Sequence, residues 1–223
     1  MKKSHPYLQE VQKVFKNASK PADAAAMSAY MRNLFIFYGI KTPERKQLTK
    51  QLLAASPPEL TEIINIAKSA WNQPEREMQY FAIELLATYH KSWTPEIIEL
   101  FEMMIVEKSW WDSVDSIASN LTSLYFKKFP HQVAVITGRW NNSSNIWLQR
   151  SSLLFQLLYK KQMDTALLKK YILHLRDSKE FFIQKAIGWT LRQYGKTDPQ
   201  WVKKFVLENE LPPLSRKEAL KNL

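Results

Sequence analysis

The stretch NIWLQRSSLLFQLL, residues 145–158, decides the fold class of this chain. Its apolar residues recur at helical spacing, at Ile146, Leu148, Leu153, Leu154, Leu157 and Leu158. Residues 78–89, MQYFAIELLATY, repeat the pattern with Phe81, Ile83, Leu85, Leu86 and Tyr89. The chain has only 4 glycines and no Asn-Gly or Asp-Gly turn, so hairpins are not predicted. The sequence therefore predicts an all-α fold of about ten or more helices without a sheet.

Prolines mark the predicted helix starts. In Thr42-Pro43-Glu44, the threonine is predicted to be the N-cap, the proline the first helical residue and the glutamate part of the first turn. Residues 56–59 (SPPE) and 93–96 (WTPE) have the same arrangement. They predict two further helix starts.

Four short polar and aromatic runs recur at intervals of about 30 to 40 residues, which is typical of two-helix solenoid repeats. They contain Trp71, Trp110, Trp140 and Asp177. We expect a HEAT-like helical solenoid with a concave, basic DNA-binding face. Residues 1–223 form a single domain in this interpretation, and about the first 40 form an N-terminal helical cap. The alternative is an irregular helical domain.

The net charge of +11 favours a polyanionic partner, of which nucleic acid is the commonest. The 8 Trp, 9 Tyr and 11 Phe residues strengthen that preference, because aromatic rings among cations can stack on bases or pack on sugars. The alternative is a solvated basic surface without a dedicated partner.

Several classes of site are excluded or disfavoured by composition. The chain has no cysteine, which rules out disulfides, thiolate zinc sites and cysteine nucleophiles. P-loop, GxGxxG, HExxH and GxSxG motifs are missing, and the 4 histidines are scattered, so neither a metal nor a cofactor is expected. The N-terminal MKKSHPYLQE lacks the apolar run of a signal peptide, and residues 34–40 are too short to span a membrane. We expect a cytoplasmic protein.

Residues 108–116, KSWWDSVDS, are the richest candidate for chemistry. On a helix, Trp111 and Asp115 are four residues apart and share one face. The alternative makes Ser109 an N-cap, Asp112 a capping-box acid and the tryptophans core residues. That alternative does not explain Asp115, an acid one turn into an apolar helix.

Two later segments also combine an aromatic residue with a cation. Trp147 and Arg150 lie in one, and Trp189 follows Lys185 in the other. Each pair alone is typical of core packing beside a solvated charge. Their recurrence indicates a shared aromatic and basic lining.

The runs KSWWDSVDS, NIWLQR, LFQL and SKEFFIQKAIGW resemble the AlkD-type DNA alkylation-repair glycosylases. SAYMRNLFIFYGIKTPER near the N-terminus and LPPLSRKEA near the end extend the resemblance over nearly the whole chain. It implies HEAT-like repeats that wrap DNA and release positively charged N3- and N7-alkylpurines without flipping the base into a pocket. It also implies action in base excision repair.

The resemblance places the family's catalytic aspartate at Asp115, its two sugar-contacting tryptophans at Trp111 and Trp189, and its site arginine at Arg150. A further site tyrosine falls on Tyr30. Phe181 and Phe182 match aromatic residues at the edge of the site. The sequence departs from the family where a lysine can follow the LFQL run, since Leu158 stands there, and this weakens any phosphate contact at that position.

This residue set fits hydrolysis without a metal. A cationic alkylpurine leaves as a neutral base, so the main requirement is to stabilise oxocarbenium character on the deoxyribose. We expect Asp115 to do so electrostatically and to orient water, and Trp111 and Trp189 to flank the nucleotide. Arg150 is expected to hold a neighbouring phosphate.

Further phosphate contacts are expected from cations at helix starts and from the free amides of the helix that begins near Thr42. The candidate cations are Arg45, Lys46, Lys108, Lys179 and Lys185. The expected partner is duplex DNA containing alkylated purines, bound by a monomer that makes no membrane contact.

Two other functions remain open from sequence. A non-catalytic HEAT-repeat protein that binds distorted DNA would need the basic face but not Asp115. A scaffold for acidic proteins would show no preference for duplex DNA. The sequence does not rank N3-methyladenine, N7-methylguanine and bulkier adducts.

Overall fold

A computed structural model of the chain describes residues 5–221 and 223. Its α-helices are α1 (Pro6–Asn17), α2 (Pro21–Tyr30), α3 (Thr42–Ala55), α4 (Ile63–Trp71), α5 (Arg76–Thr88), α6 (Ile97–Val106), α7 (Trp111–Ser116), α8 (Ser123–Lys128), α9 (Val133–Asn141), α10 (Ile146–Leu154), α11 (Thr165–Leu175), α12 (Phe181–Gly195), α13 (Pro199–Glu208) and α14 (Pro213–Ala219). A π-helical segment, Ile117–Thr122, joins α7 to α8. Within the described residues, the single parallel bridge between Ile36 and Glu75 is the only β-type pairing. The predicted all-α fold is confirmed.

Helix starts differ from those that the proline pattern predicted. Helix α3 begins at Thr42 itself, with Lys41 as the N-cap and without a side-chain cap. Ser56 closes α3 through its amide, which donates to the Leu52 carbonyl (2.9 Å), so the next α-helix waits until Ile63. Helix α6 starts at Ile97, two residues beyond Pro95. The predicted N-caps were therefore wrong, because proline is also common in the turn that precedes a helix.

The four recurring runs lie at turns inside helix pairs and do not open the pairs. They join α4 to α5, α6 to α7, α9 to α10 and α11 to α12. Trp71 is the last residue of α4 and Trp140 the penultimate residue of α9, and both are fully buried. The capping alternative for residues 109–112 was also wrong, because α7 begins at Trp111 and the Ser109 hydroxyl donates to the Ile105 carbonyl (2.7 Å).

The contacts divide the chain into two compact units, Met1–Thr94 and Pro95–Leu223. In the first unit, α1 packs on α3 and α4, and α4 packs on α5. Phe15 of α1 is fully buried and meets the rings of Tyr38 and Phe81 edge-on, both at 6.3 Å between ring centroids.

A buried carboxylate fixes the segment between α2 and α3. Glu77 of α5 is fully buried and accepts hydrogen bonds from the amides of Tyr38 (3.0 Å), Gly39 (2.9 Å) and Ile40 (3.1 Å). Gly39 has a φ of 89°, and a Cβ there would stand 2.2 Å from the Lys20 carbonyl oxygen. Glycine is thus required at this turn.

In the second unit, α10 packs on α9, α12 and α7. The Asn145 side chain caps α10 by accepting hydrogen bonds from the amides of Trp147 (2.9 Å) and Leu148 (3.3 Å). The helix ends at Leu154, earlier than the apolar pattern predicted, and Leu158 lies beyond it with half of its surface exposed.

The packing of α12 on α14 depends on Gly188. A Cβ at this position would lie 2.4 Å from the Cβ of Glu218 and 2.8 Å from the Ser215 carbonyl oxygen. Gly188→Ala must therefore push the helices apart. We expect it to lower the free energy of unfolding by about 1–3 kcal/mol, measured by urea denaturation.

Gly138→Ala is the matched control for that substitution. Gly138 also lies inside a helix, α9, but a Cβ there would meet only the Tyr171 hydroxyl, at an ordinary 3.7 Å. Alanine should raise the stability by about 0.5–1 kcal/mol at this position, because it costs less chain entropy than glycine. Equal effects of the two substitutions would contradict the close approach at Gly188.

Among the described residues, none of the helices has the length and apolar character needed to cross a bilayer.

Candidate active site

An ion pair between α7 and α10 forms the centre of the candidate site. Arg150 donates from Nε to Oδ1 of Asp115 (2.7 Å) and from a terminal nitrogen to Oδ2 (2.8 Å). The exposed fractions of the two side chains are 5% for Arg150 and 15% for Asp115. The other terminal nitrogen of Arg150 donates to the Phe182 carbonyl. The orientation of the Asp115 carboxylate is thus fixed by a two-point contact.

The pKa of Asp115 reflects opposing influences. Burial raises the pKa above its ordinary value, while the hydrogen bonds and positive charge of Arg150 pull it down. The like charge of Asp112 adds to the increase. Arg150 therefore offsets part of the cost of burying the charged carboxylate, while burial leaves the pKa of Asp115 above its ordinary value.

Arg150 is held by contacts within the protein. The sequence predicted that Arg150 holds a DNA phosphate. In the structure Arg150 is buried and all three of its guanidinium nitrogens donate hydrogen bonds within the protein. These contacts make Arg150 a positioning residue for Asp115, and a phosphate contact by Arg150 stays a prediction.

An aromatic cluster of Trp110, Trp147 and Phe182 lies beside the ion pair. The centroid of the Phe182 ring is 5.1 Å from that of Trp110 and 4.9 Å from that of Trp147, and the two tryptophans are 5.9 Å apart. The Arg150 guanidinium carbon lies 5.9 Å from the Phe182 centroid. The Phe182 ring thus lies against the Arg150 guanidinium, and the two tryptophans pack around Phe182.

Trp110 and Trp147 were not among the predicted site residues. Trp110 belonged to the segment predicted to carry chemistry, and only the capping alternative placed it in the core; Trp147 was predicted as part of an aromatic lining. The adjacent tryptophans at residues 110 and 111 carried a usable signal, because two consecutive residues at a helix start point in different directions. One of them joins the cluster with Trp147, and the other is the first residue of α7.

The two predicted sugar-contacting tryptophans are both half-buried. Trp111 lies one turn before Asp115 on α7 and shares its face. Trp189 lies seven residues after Phe182 on α12, which places both on one face about 10 Å apart along the axis. Since α10 packs on both α7 and α12, three neighbouring helices carry the four predicted catalytic residues.

The backbone departs from regular α-helix directly after Asp115. The π-helical segment Ile117–Thr122 begins two residues later, and the Ser119 hydroxyl donates to the Asp115 carbonyl (2.7 Å). Such segments are frequent at functional sites, because they re-aim the side chains of a helix.

The cations and rings predicted near this site differ in availability. Phe181 and Lys179 are exposed, and Lys108 is half-buried in a left-handed conformation with φ of 51°. Lys185 already pairs with Glu218 (2.9 Å), which also accepts from Arg192 (2.6 Å). The hydrogen bond from Lys185 and the nearby positive charges lower the pKa of Glu218. The charge of Lys185 is thus compensated by Glu218, and the sequence did not predict this pair.

In the first unit, three predicted DNA-contacting residues line one cavity of about 400 Å³: Tyr30, Thr42 and Arg45. Tyr30 is 72% exposed. Arg45 is buried, pairs with Glu84 (2.9 Å) and lies 4.4 Å from the centroid of the Tyr80 ring. A phosphate contact by Arg45 stays a prediction, and its neighbour Lys46 is exposed.

The family model of the DNA alkylation repair enzymes matches residues 11–223. The chain belongs to this family. The resemblance stated from the sequence is thereby confirmed, and the family places the protein in DNA repair with DNA as its partner. A search of curated proteins found no match.

Solved structures of similar proteins show the same fold. A protein described as a predicted DNA alkylation repair enzyme from Enterococcus faecalis is 38% identical, with a TM-score of 0.85 over 92% of this chain and 96% of that one. AlkD2 from Streptococcus mutans is 18% identical, with a TM-score of 0.64 over 82% and 90% of the two chains. The smu.31 protein of Streptococcus mutans UA159 is 19% identical, with a TM-score of 0.62 over 81% and 92%.

Proposed function

We propose that this family member is a DNA glycosylase that hydrolyses the N-glycosidic bond of positively charged N3- and N7-alkylated purines in duplex DNA. The observation that carries the proposal is the Asp115 carboxylate, which is fixed by Arg150 and shares a helix face with the half-buried Trp111. A buried, oriented negative charge beside aromatic faces is suited to stabilise a developing cation.

The chemistry places one demand on the protein. When the bond between C1′ and the base nitrogen breaks, both electrons leave with the purine, which becomes neutral. The deoxyribose then carries positive charge until the oxygen of a water molecule bonds to C1′ and releases a proton. A carboxylate near that carbon lowers the barrier, because it attracts the sugar more strongly in the transition state than in the ground state.

Asp115 keeps the capacity for this role despite its ion pair. A carboxylate has about four acceptor positions, and the two-point contact with Arg150 occupies one on each oxygen. The remaining positions can orient the attacking water and accept its proton. Arg150 thus holds the carboxylate in place and leaves acceptor positions on both of its oxygens.

The two tryptophans supply the walls for the sugar. Trp111 begins the helix of Asp115, and Trp189 lies on α12, whose start is bonded to Arg150 through the Phe182 carbonyl. We propose that they flank the damaged nucleotide and favour the cation through their ring faces. In this mechanism the lability of the lesion itself gives selectivity, and the base does not need to enter a pocket.

We propose that the helical repeats as a whole hold the DNA. HEAT-like repeats carry a concave basic face that holds the duplex, and a monomer acts in base excision repair in the cytoplasm. Lys46, Lys108 and Lys179 contact backbone phosphates, and Tyr30 and Phe181 present exposed rings to the DNA. The reaction as proposed uses neither a metal nor a cofactor.

Release of free base from duplex DNA that carries N7-methylguanine tests the proposal. The protein should release the base well above the spontaneous rate, and it should leave undamaged guanine in place. Binding of the damaged duplex without release would instead favour a non-catalytic protein that recognises distorted DNA. Failure to prefer duplex DNA over acidic proteins would favour a scaffold.

A further inference from the structure

A second basic site lies in the Pro95–Leu223 unit, at the ends of α8 and α12. The end of α8, the turn after α10 and the end of α12 enclose an open cavity of about 610 Å³. Four exposed lysines line it, and we call them the lysine cluster: Lys127, Lys160, Lys161 and Lys196.

The charge of the lysine cluster is not compensated. None of the residues that line the cavity is a carboxylate, and none of the ion pairs within residues 5–221 and 223 involves a lysine of the cluster. Several other cations in this unit do have acidic partners, such as Arg139 with Glu102 and Lys204 with Glu208. The cavity therefore carries four positive charges without a carboxylate in its lining, and it attracts anions.

The cavity walls are held in place by specific contacts. The Tyr159 hydroxyl donates to the Ser123 carbonyl (2.8 Å), and the Lys127 ammonium lies 4.7 Å from the centroid of the Tyr159 ring. Burial raises the pKa of Tyr159 to about 12, so its hydroxyl adds no negative charge. The Lys196 ammonium donates to the Gln193 side chain (2.9 Å). Two of the lysines are thus positioned by neutral groups.

The turn after α10 is built in an uncommon conformation. Lys160 has a φ of 52°, which is costly for a residue with a side chain. The amides of Gln162 and Met163 donate to the carbonyls of Tyr159 (2.9 Å) and Lys160 (3.1 Å), and these bonds hold the turn. The left-handed residue brings two consecutive lysines to the cavity beside the half-exposed Leu158.

We propose that the lysine cluster binds backbone phosphates of duplex DNA at a site separate from Asp115. Four flexible point charges without an arginine fork suit a row of phosphates better than one tightly bound anion. Duplex DNA carries one charge per about 1.7 Å of its axis, so several phosphates can meet one cavity of this size. Leu158 supplies an apolar surface for sugar carbons.

The inference rests on the proposed function, since it adds a contact to the same DNA. The two sites are nevertheless separable. Helix α12 runs from Phe181, beside the Arg150 contact, to Gly195, next to Lys196, and such a helix spans about 21 Å. The cluster therefore affects how strongly DNA is held but not the chemistry at Asp115.

The test compares two double variants that remove the same charge. Lys160→Gln with Lys161→Gln alters the cluster, and Lys169→Gln with Lys170→Gln alters two exposed consecutive lysines of α11 in the same unit. Binding of undamaged duplex DNA is measured by fluorescence anisotropy over a range of salt concentrations. The cluster variant should reduce the slope of log K against log salt by about 1.8, at about 0.9 per lost phosphate contact. The control should keep the slope of the unaltered protein.

Equal slopes for the two double variants would overturn the proposal. Thermal melting checks that both proteins are folded. Titration with inorganic phosphate at constant ionic strength gives a separate arm. A rise in melting temperature that depends on the cluster, without a change in the DNA slope, would assign the cavity to free phosphate and would also overturn the proposal.

The two proposals fail in different ways. The rate of base release with enzyme in excess over saturating DNA should be the same in the cluster variant as in the unaltered protein. Absent base release with a reduced salt slope would refute the glycosylase and leave the DNA contact standing. Normal base release with an unchanged slope would refute only the contact.

Discussion

Asp115→Asn is expected to slow the release of N7-methylguanine by at least about a hundredfold while leaving DNA binding within a few-fold of the original. The amide keeps the shape of the side chain and can still accept a hydrogen bond from Arg150, but it loses the negative charge that opposes the cation on the sugar. The rate is measured with enzyme in excess over damaged duplex DNA, after subtraction of spontaneous base loss. Binding is measured on undamaged duplex.

Asp112→Asn is the matched control, because it removes one negative charge from the same helix. The charge of Asp112 raises the pKa of Asp115, so its removal should lower that pKa and shift the acid limb of the rate profile to lower pH. The rate above that limb should be retained. A similar loss of rate in both variants, or full base release by Asp115→Asn, would refute the role of Asp115.

Sequence patterns predicted the features that depend on local chemistry. Apolar spacing gave the helical class, and the recurring runs marked real turns, although they lie within helix pairs. Asp115 stood out because an acid within an apolar helix lacks an obvious local reason. The structure supplies that reason in Arg150, its partner 35 residues away.

The ion-pair partners of the charged residues could not be predicted from the sequence. Arg45 and Lys185 were both predicted to neutralise phosphates, but they pair with Glu84 and Glu218 on other helices. These pairs depend on the rotation and register of packed helices. Periodicity in one segment carries no information on that register. The sequence therefore shows the charge of a residue but not whether a carboxylate of the protein already pairs with it.

The ends of helices were also poorly predicted from the sequence. The apolar run continues through Leu157 and Leu158, so the pattern predicted that α10 continues there. The structure ends α10 at Leu154 and turns the chain at Lys160. The lysine cluster depends on that turn, so no sequence pattern could have indicated it.

Arg150→Met is expected to give the largest combined loss of stability and activity in the protein. Methionine fills much of the arginine volume and removes every donor, so the buried Asp115 carboxylate is left without its counter-charge. Breaking one side of a buried ion pair costs about 3–5 kcal/mol, which urea denaturation at neutral pH will measure. Arg150→Lys keeps the charge without the two-point contact, and it should lose less stability while still misplacing the carboxylate.

The pH dependence separates a positioning role for Arg150 from a phosphate contact. Arg150 lowers the pKa of Asp115, so its loss should raise that pKa further and move the acid limb of base release to higher pH. The sign for stability follows from linkage. An acid with a raised pKa in the folded state binds its proton more readily there than in the unfolded chain, so folding weakens as pH rises through the titration. The stability deficit of Arg150→Met should therefore be largest at neutral pH and shrink as Asp115 becomes protonated in acid. If Arg150 instead held a DNA phosphate, Arg150→Met would bind DNA with a smaller salt dependence. In that case the acid limb of the rate profile would stay at the same pH, and the loss of stability in the variant would not depend on pH.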